Sequence, residues 1–401
     1  MNRVAPWLKA VNTVLTPTIA NRRKKIDKII EKAVHNAETR IGGTHSGDEQ
    51  FIDDYRFLLR CFADIDGLSP TGWSGMINDV STRIENRLRI RKLHVQHPEI
   101  AAEPIERPIV IVGMPRTGTT LLHRLLGAPE AHRAPLLWEL MSTDLGDISQ
   151  ETRDEYRKRS DRITVGMDKV APDFRNIHSI GTDEPEECVF LLPHGLMFAV
   201  RADSPRYVQW MLERDYTDDY RYLKQGLQVL QHGRPRRRWV LKSPAHLWSL
   251  DVLLKTFPDA EIVWTHREPA TVLASMCSLA ETSMSLHMHK PDPHSIGRQW
   301  LGLLATGIDR TRAVRRQQPR DTIIDVPYEH LTKEARERIP ELFERLDTPW
   351  GKAEQDTLET ALDRPGGSGG RHKYELSPYG ITETEVNQVF SEYRRFIGDL
   401  E

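Results

Sequence analysis

The stretch Ile109-Val-Ile-Val-Gly-Met-Pro-Arg-Thr-Gly-Thr-Thr-Leu-Leu-His-Arg-Leu-Leu126 decides the fold. Its first four residues form a continuous β-branched apolar run, which is typical of a strand buried in a parallel sheet. Gly113 and Gly118 permit a tight turn, and the residues that follow have the character of a helix. A helix N-terminus after a strand and a turn presents free backbone N–H groups at the positive end of the helix dipole. The stretch therefore predicts an anion site, to which Thr119 and Thr120 add hydroxyl donors.

Three further apolar runs, 239–241, 262–264 and 323–326, have strand character, and helical patterns lie between them. Strands that alternate with helices indicate βαβ units, so the fold class predicted is α/β: a P-loop-like parallel sheet flanked by helices. Helical spacing of apolar residues dominates the chain before Pro104. We predict an N-terminal helical subdomain over residues 1–103, with its third helix ending near Arg91, and an α/β domain over 104–401.

Composition narrows the class of protein. The net charge of -2 on 401 residues argues against nucleic-acid binding by bulk charge. The three cysteines are far apart and odd in number, which argues against a disulfide framework and favours a reducing compartment. We find no cleavable leader and no apolar run of membrane length, and expect a cytoplasmic protein without a membrane span. The basic N-terminus is interpreted as a solvated helix face rather than a membrane contact. The oligomeric state stays open.

The turn at 113–118 has the G-x-x-x-x-G spacing of a P-loop, but Thr119 stands where a nucleotide triphosphatase carries lysine. The cation lies inside the loop instead, at Arg116. A second phosphate site is indicated where the strand 262–264 ends. There Arg267 precedes a helix expected to begin at Pro269, and Ser275 lies two helical turns further on.

The segment Pro115-Arg-Thr-Gly-Thr-Thr-Leu121 resembles the 5′-phosphosulfate loop of sulfotransferases that use 3′-phosphoadenosine 5′-phosphosulfate (PAPS). Arginine inside the loop is typical of the bacterial and tyrosylprotein branches. Arg267 with Ser275 is similar to the 3′-phosphate motif of that family. The resemblance implies PAPS as cofactor, PAP as product and no metal. It also implies a set of cofactor-binding residues: Arg116, Thr117, Gly118, Thr119, Thr120, Arg267, Ser275, and Arg371, His372 and Lys373 after the glycine tract.

Sulfuryl transfer requires a base for the acceptor proton and cations for the developing charge. Arg116 and Lys242 are the candidate cations. The segment after the strand 239–241 predicts Ser243 as a helix N-cap, which places His246 in a first turn where the dipole favours neutral imidazole. The resemblance makes Glu139 the rival base, slightly preferred over His246.

The acidic run Asp183-Glu-Pro-Glu-Glu187 is expected to begin a helix capped by Asp183, with Glu184 or Glu187 facing the acceptor as the alternative. The hypothesis for function is transfer of a sulfuryl group from PAPS to a hydroxyl or amine of an unidentified small-molecule or lipid-like acceptor. Two alternatives stay open. One is a P-loop small-molecule kinase that uses ATP and Mg²⁺, and the other is a non-catalytic protein that binds PAP or PAPS.

Overall fold

A computed structural model describes residues 3–172, 180–363 and 374–400. Its centre is a sheet of five strands in the order β2-β3-β1-β4-β5. The strands are β1 (Ile109–Gly113), β2 (His132–Arg133), β3 (Arg238–Lys242), β4 (Glu261–His266) and β5 (Ile323–Pro327). Every neighbouring pair is parallel. The predicted α/β class and the four predicted strands are confirmed.

β1 lies in the middle of the sheet, and all five of its residues are buried, as its continuous apolar run predicts. β2 was not predicted, because two residues are too short to show a periodic pattern. It extends the sheet by pairing with the first two residues of β3.

Helices cover the sheet and extend beyond it. In chain order they are α1 (Pro6–Leu15), α2 (Ile26–Ile41), α3 (Glu49–Ala63), α4 (Pro70–Gln96), α5 (Thr119–Gly127), α6 (Leu137–Met141), α7 (Gln150–Val170), α8 (Leu196–Ala199) and α9 (Pro205–Glu213). They continue with α10 (Thr217–Gln231), α11 (Leu250–Thr256), α12 (Pro269–His287), α13 (Pro293–Arg315), α14 (Ala335–Arg345), α15 (Lys352–Asp363), α16 (Glu383–Val389) and α17 (Ser391–Gly398).

α4 is the helix that brings the N-terminal region to the centre of the molecule. The Ser69 side chain caps it by accepting a hydrogen bond from the Gly72 amide (3.0 Å), and Pro70 is its first residue. It ends at Gln96 rather than near Arg91, because its apolar face continues through the buried Leu93. One hydrophobic cluster joins the buried residues of α2, α3 and α4 to Val110 and Val112 of β1.

The opposite face of β1 packs against α5 and α14. The sheet is therefore buried on both sides, and the carboxyl ends of its strands meet at one edge. The boundary between residues 103 and 104 stays a prediction. Among the described residues, no helix is both long enough and apolar enough to cross a bilayer.

Candidate active site

The loop after β1 is held from the inside by a hydroxyl. Thr117 is fully buried, and its Oγ1 donates to the Met114 carbonyl (2.7 Å) and lies 2.6 Å from Thr265 Oγ1. Gly113 has φ +153°, and a Cβ there would lie 2.2 Å from the same Thr265 Oγ1. Glycine is therefore required for β1 and β4 to approach this closely. The hydroxyl of Thr117 faces the protein, and the contact of this residue with phosphate stays a prediction.

The two predicted phosphate sites meet at one edge of the sheet. The Arg116 Nε donates to Ser275 Oγ (3.1 Å), and Arg267 Nη1 donates to the Arg116 carbonyl (2.9 Å). Arg116 has φ +72°, a left-handed conformation that costs a non-glycine residue about 1–2 kcal/mol. These contacts hold the strained loop against the start of α12. α12 begins at Pro269, as predicted.

The guanidinium of Arg267 lies 3.9 Å from the centroid of the Tyr328 ring, in the range of a cation–π contact. Tyr328 follows β5, and its ring also lies beside Gly118, where an added Cβ would come within 3.5 Å of it. Sequence reasoning missed Tyr328. The available signal was its position immediately after a predicted strand, at the edge where the other strands carry their site residues.

A cavity of about 1280 Å³ opens beside this loop. Its volume exceeds the ~300–1,000 Å³ of a pocket for one small molecule, so it has room for a donor and an acceptor together. Six of the predicted cofactor-binding residues line it: Arg116, Gly118, Thr119, Thr120, Arg267 and Ser275.

The far end of the cavity, away from the loop, is walled mainly by apolar side chains from α6, α7, α8 and α12. They include Leu137, Leu140, Met141, Ile163, Met167, Leu196, Met197, Val200, Leu279 and Leu286. One charged cluster interrupts this wall. Arg83 and Arg201 both bond to Asp79, with Arg201 Nη1 lying 2.9 Å from its Oδ2. Burial opposes ionisation of Asp79, but the two guanidinium groups outweigh it and lower its pKa.

Lys242 is linked to the cavity by its ion pair with Glu187. Its side chain is 1% exposed, and Nζ donates to Glu187 Oε1 (2.6 Å), while Glu187 itself lines the cavity. The expectation that a helix starts at Asp183 is wrong. Pro185 forms a β-bridge with Leu136, and the Glu186 amide donates to the Pro135 carbonyl (3.0 Å). This extended segment, rather than a helix turn, carries Glu187 to the cavity.

His246 lies behind the cavity wall. Its Nδ1 is 2.7 Å from the Tyr220 hydroxyl, its side chain is buried, and its Nε2 has no partner among the described residues. Burial lowers the pKa of His246 to about 3, so the imidazole is neutral as expected. The cause is desolvation rather than a helix dipole, because residues Pro244–Trp248 form a 3₁₀ turn. Ser243 does cap this turn, accepting from the Ala245 amide (3.1 Å).

Glu139 is engaged on both carboxylate oxygens. Oε1 pairs with Arg133 Nη2 (2.6 Å), and Oε2 accepts from the Leu136 amide (3.1 Å) at the start of α6. Its side chain is buried and falls outside the set of described residues that line the cavity, as do those of His246 and Lys242. These contacts fit a helix cap, and a role for Glu139 or His246 as base stays a prediction.

Arg371, His372 and Lys373 lie outside the described residues, so their predicted contact with a 3′-phosphate stays a prediction. Within the described parts of the chain, His, Cys, Asp and Glu side chains do not gather into a group of three that would hold a metal ion.

Known proteins resemble this chain in sequence and in structure. Residues 108–352 match the family model described as the sulfotransferase family. The omega-hydroxy-beta-dihydromenaquinone-9 sulfotransferases Stf3 of Mycobacterium tuberculosis and Mycobacterium bovis are each 29% identical over 198 residues. That match covers 48% of this chain and 46% of theirs, so it spans about half the length of these curated relatives.

Two solved structures share most of the fold. Sulfotransferase STF9 from Mycobacterium avium superposes with a TM-score of 0.80 at 25% identity, covering 90% of this chain and 95% of that one. Sulfotransferase STF1 from M. tuberculosis superposes with a TM-score of 0.77 at 28% identity, covering 90% and 98%. Because the family model matches more than half of the 401 residues, this chain belongs to the sulfotransferase family.

Proposed function

We propose that this protein transfers a sulfuryl group from PAPS to a hydroxyl of an apolar, lipid-like acceptor. The observation that carries the proposal is one cavity with a phosphate-binding edge at one end and an apolar wall at the other. PAPS supplies the sulfuryl group, which leaves its phosphosulfate oxygen for the acceptor oxygen and so releases PAP.

The basic edge of the cavity fits the donor. The loop amides up to Thr120 and the Arg116 guanidinium suit the 5′-phosphosulfate, because N–H donors and a cation converge there. Arg267 and Ser275 suit the 3′-phosphate, since they approach the same loop from the neighbouring strand. Tyr328 holds the Arg267 guanidinium in place by stacking against it.

We assign the base to Glu187, a residue that sequence reasoning treated only as an alternative for contact with the acceptor. It lines the cavity, whereas Glu139 and His246 fall outside its described lining. Glu187 takes the acceptor proton as the new S–O bond forms. The Lys242 ammonium, 2.6 Å away, fixes the carboxylate's position and is the cation nearest to it.

The apolar acceptor is inferred from the wall that α6, α7, α8 and α12 build around the far end of the cavity. The Stf3 relatives are named for a menaquinone derivative, a lipid with a hydroxyl, which agrees with a wall of this kind. A small hydrophilic acceptor would leave most of this surface without a partner.

Calorimetric binding of PAP, compared with ATP plus Mg²⁺, tests the donor. We expect PAP to bind more tightly, and Arg267→Ala to weaken PAP binding by about tenfold to a hundredfold, because a charge-assisted hydrogen bond is worth about 1.5–3 kcal/mol. Arg336→Ala, an exposed arginine on α14, is the control and should bind as the wild type does. Binding of ATP–Mg²⁺ without preference for the 3′-phosphate would contradict the proposal and favour the kinase.

A further inference from the structure

The first helix carries an apolar stripe that the protein does not cover. Four of its side chains are exposed by 37% or more: Trp7 (53%), Val11 (37%), Val14 (76%) and Leu15 (40%). Positions 7, 11 and 14 fall on one face of a helix, and position 15 borders it. Two more exposed apolar residues, Ile163 (38%) and Val165 (47%), lie on α7. Among the described residues only Val95 and Val389 are also exposed large hydrophobic residues, and they lie on other helices.

The other faces of α1 differ sharply from this stripe. Leu8 is buried against Met167, Val170 and Leu286, and the Ala5 amide donates to the Val170 carbonyl (2.9 Å). α1 therefore has a separate face for its packing against the protein. The exposed stripe is not needed to hold the helix in place.

α1 packs against two helices that line the cavity, α4 and α7. Asn12 Oδ1 accepts from both the amide (3.0 Å) and the hydroxyl (2.9 Å) of Thr71, at the start of α4. One turn later Gly75 is exposed and lines the cavity. On the other side Ile163 of α7 is exposed and lines it too. Because α1 is anchored to both α4 and α7, and each of these helices carries an exposed residue that lines the cavity, we infer that the stripe lies near the opening.

The N-terminal segment that contains α1 is also basic. Residues 1–26 contain six cations and no acid: Arg3, Lys9, Arg22, Arg23, Lys24 and Lys25. Arg3 pairs with Glu281, Arg23 pairs with Asp64, and the partly buried Arg22 donates to the carbonyls of Ala63 and Ile65. The three lysines, Lys9, Lys24 and Lys25, are exposed and lie near the stripe in sequence. An apolar helix face with exposed lysines beside it is the pattern of a helix that lies in the interface of a bilayer with anionic lipids.

We propose that the stripe of α1, with Ile163 and Val165 of α7, docks this protein on the surface of an anionic lipid bilayer. Docking places the mouth of the cavity against the lipid, so an acceptor enters without crossing water. The direction of entry rests on the proposed function, whereas the docking itself does not. The partner that the observations favour is a bilayer rather than a second copy of the chain, because the exposed cations would repel their own copies across a twofold interface.

Co-sedimentation with phosphatidylcholine vesicles, with and without phosphatidylglycerol, tests the docking. We expect binding to vesicles that contain phosphatidylglycerol, and a loss of about tenfold or more in the double variant Trp7→Ser/Val14→Ser, because apolar area drives interfacial binding. Lys24→Gln/Lys25→Gln should weaken binding by about fivefold per lysine, and only to the anionic vesicles.

The matched control is Val95→Ser/Val389→Ser, which removes two valines that are 72% and 46% exposed on other helices. It should bind vesicles as the wild type does. Equal losses in the control and in the stripe variant, or no vesicle binding at all, would overturn the proposal. So would self-association in analytical ultracentrifugation that the stripe variant abolishes. PAP binding measured on the same variants separates the two proposals. Absence of PAP binding would contradict the proposed function, whereas vesicle binding that depends on the stripe would still support the docking.

Discussion

The two ends of the cavity are built in opposite ways. The phosphate end comes from short segments that follow β1 and β4, and hydrogen bonds of fixed geometry link them, such as Arg116 to Ser275. The acceptor end comes from α6, α7, α8 and α12, which line it mostly with apolar side chains. A phosphate needs donors at set positions, whereas an apolar chain needs only area and room. The difference teaches that the proposed donor site is encoded locally and the proposed acceptor site by the whole fold.

Glu187 lines the cavity and is the proposed base, and its substitution is expected to have the largest effect. Glu187→Gln keeps the hydrogen bond to Lys242 but removes the proton acceptor, so kcat should fall by about 10²–10⁴-fold. The Kd for PAP should stay close to that of the wild type. Steady-state rates with a lipid-like alcohol, together with calorimetry, measure both quantities.

Glu139→Gln and His246→Asn are the comparison variants for that experiment. Both residues are buried outside the described cavity lining, so we expect a lower stability and a largely retained kcat. A thousandfold loss in either variant, with Glu187→Gln active, would return the base to the residue that the sequence suggested.

Gly113→Ala tests how rigidly the phosphate end is built. The new Cβ would lie 2.2 Å from Thr265 Oγ1, and φ there is +153°. We expect a loss of about 2–4 kcal/mol in the free energy of unfolding, together with weakened PAP binding, measured by denaturant titration and calorimetry.

The matched control for this variant is Gly302→Ala on α13, where an added Cβ has no atom within 4 Å. It should be neutral or gain up to about 1 kcal/mol, since alanine favours a helix. A Gly113→Ala protein as stable as this control would mean that β1 and β4 separate easily at the loop.

The contrast between an end built from short segments and an end built from distant helices also explains which features could be predicted from the sequence. The loop 113–120 and the pair Arg267 and Ser275 lie within short stretches, so their spacing alone indicated a site, and the structure brings them together. Glu187 was expected at a helix start because acidic residues favour a first turn. The bridge between Leu136 and Pro185 imposes an extended path instead, and that pairing joins residues almost fifty positions apart.

The neutral state of the His246 imidazole was expected correctly, but its physical cause differs from the one expected. The sequence suggested neutral imidazole through a helix dipole, whereas burial against Tyr220 is what lowers its pKa. Burial depends on residues from β3, α10 and α13, which no local pattern reveals. The apolar wall of the acceptor end was likewise beyond the sequence, because each helix contributes only a few side chains to it.

Two buried histidines, one behind the cavity wall and one in it, make the stability depend on pH. Burial lowers the pKa of His246 to about 3 and that of His287, in the acceptor wall, to about 4. Each pKa is depressed from its unfolded value near 6.5, so the contribution is full above pH 6.5 and is lost as the pH falls toward the folded value. One proton corresponds to a slope of about 1.4 kcal/mol per pH unit.

Denaturant titrations between pH 7.5 and 4.5 measure that slope. His246→Gln and His287→Gln should each flatten it by about one proton, whatever their absolute stability. If only one variant flattens the slope, the other imidazole is already protonated in the folded protein, and its surroundings are wetter than its burial indicates.

The smallest effect is expected at the acceptor end, where area rather than geometry sets the affinity. Met141 lies at the end of α6 and lines the cavity, and it is only partly buried. Met141→Ala should raise KM for a lipid-like alcohol by about three- to tenfold, because a few methylene-sized groups are worth about 1–2 kcal/mol. Met141→Leu should restore the wild-type KM, since leucine has a similar volume.

The Kd for PAP should not change in either Met141 variant, because the side chain belongs to the far end of the cavity. Val389→Ala, an exposed change on α16, is the control for nonspecific effects on KM. If Met141→Ala weakens PAP binding as strongly as acceptor binding, the two ends are coupled through α6. The division between a geometric donor end and an apolar acceptor end would then fail at α6.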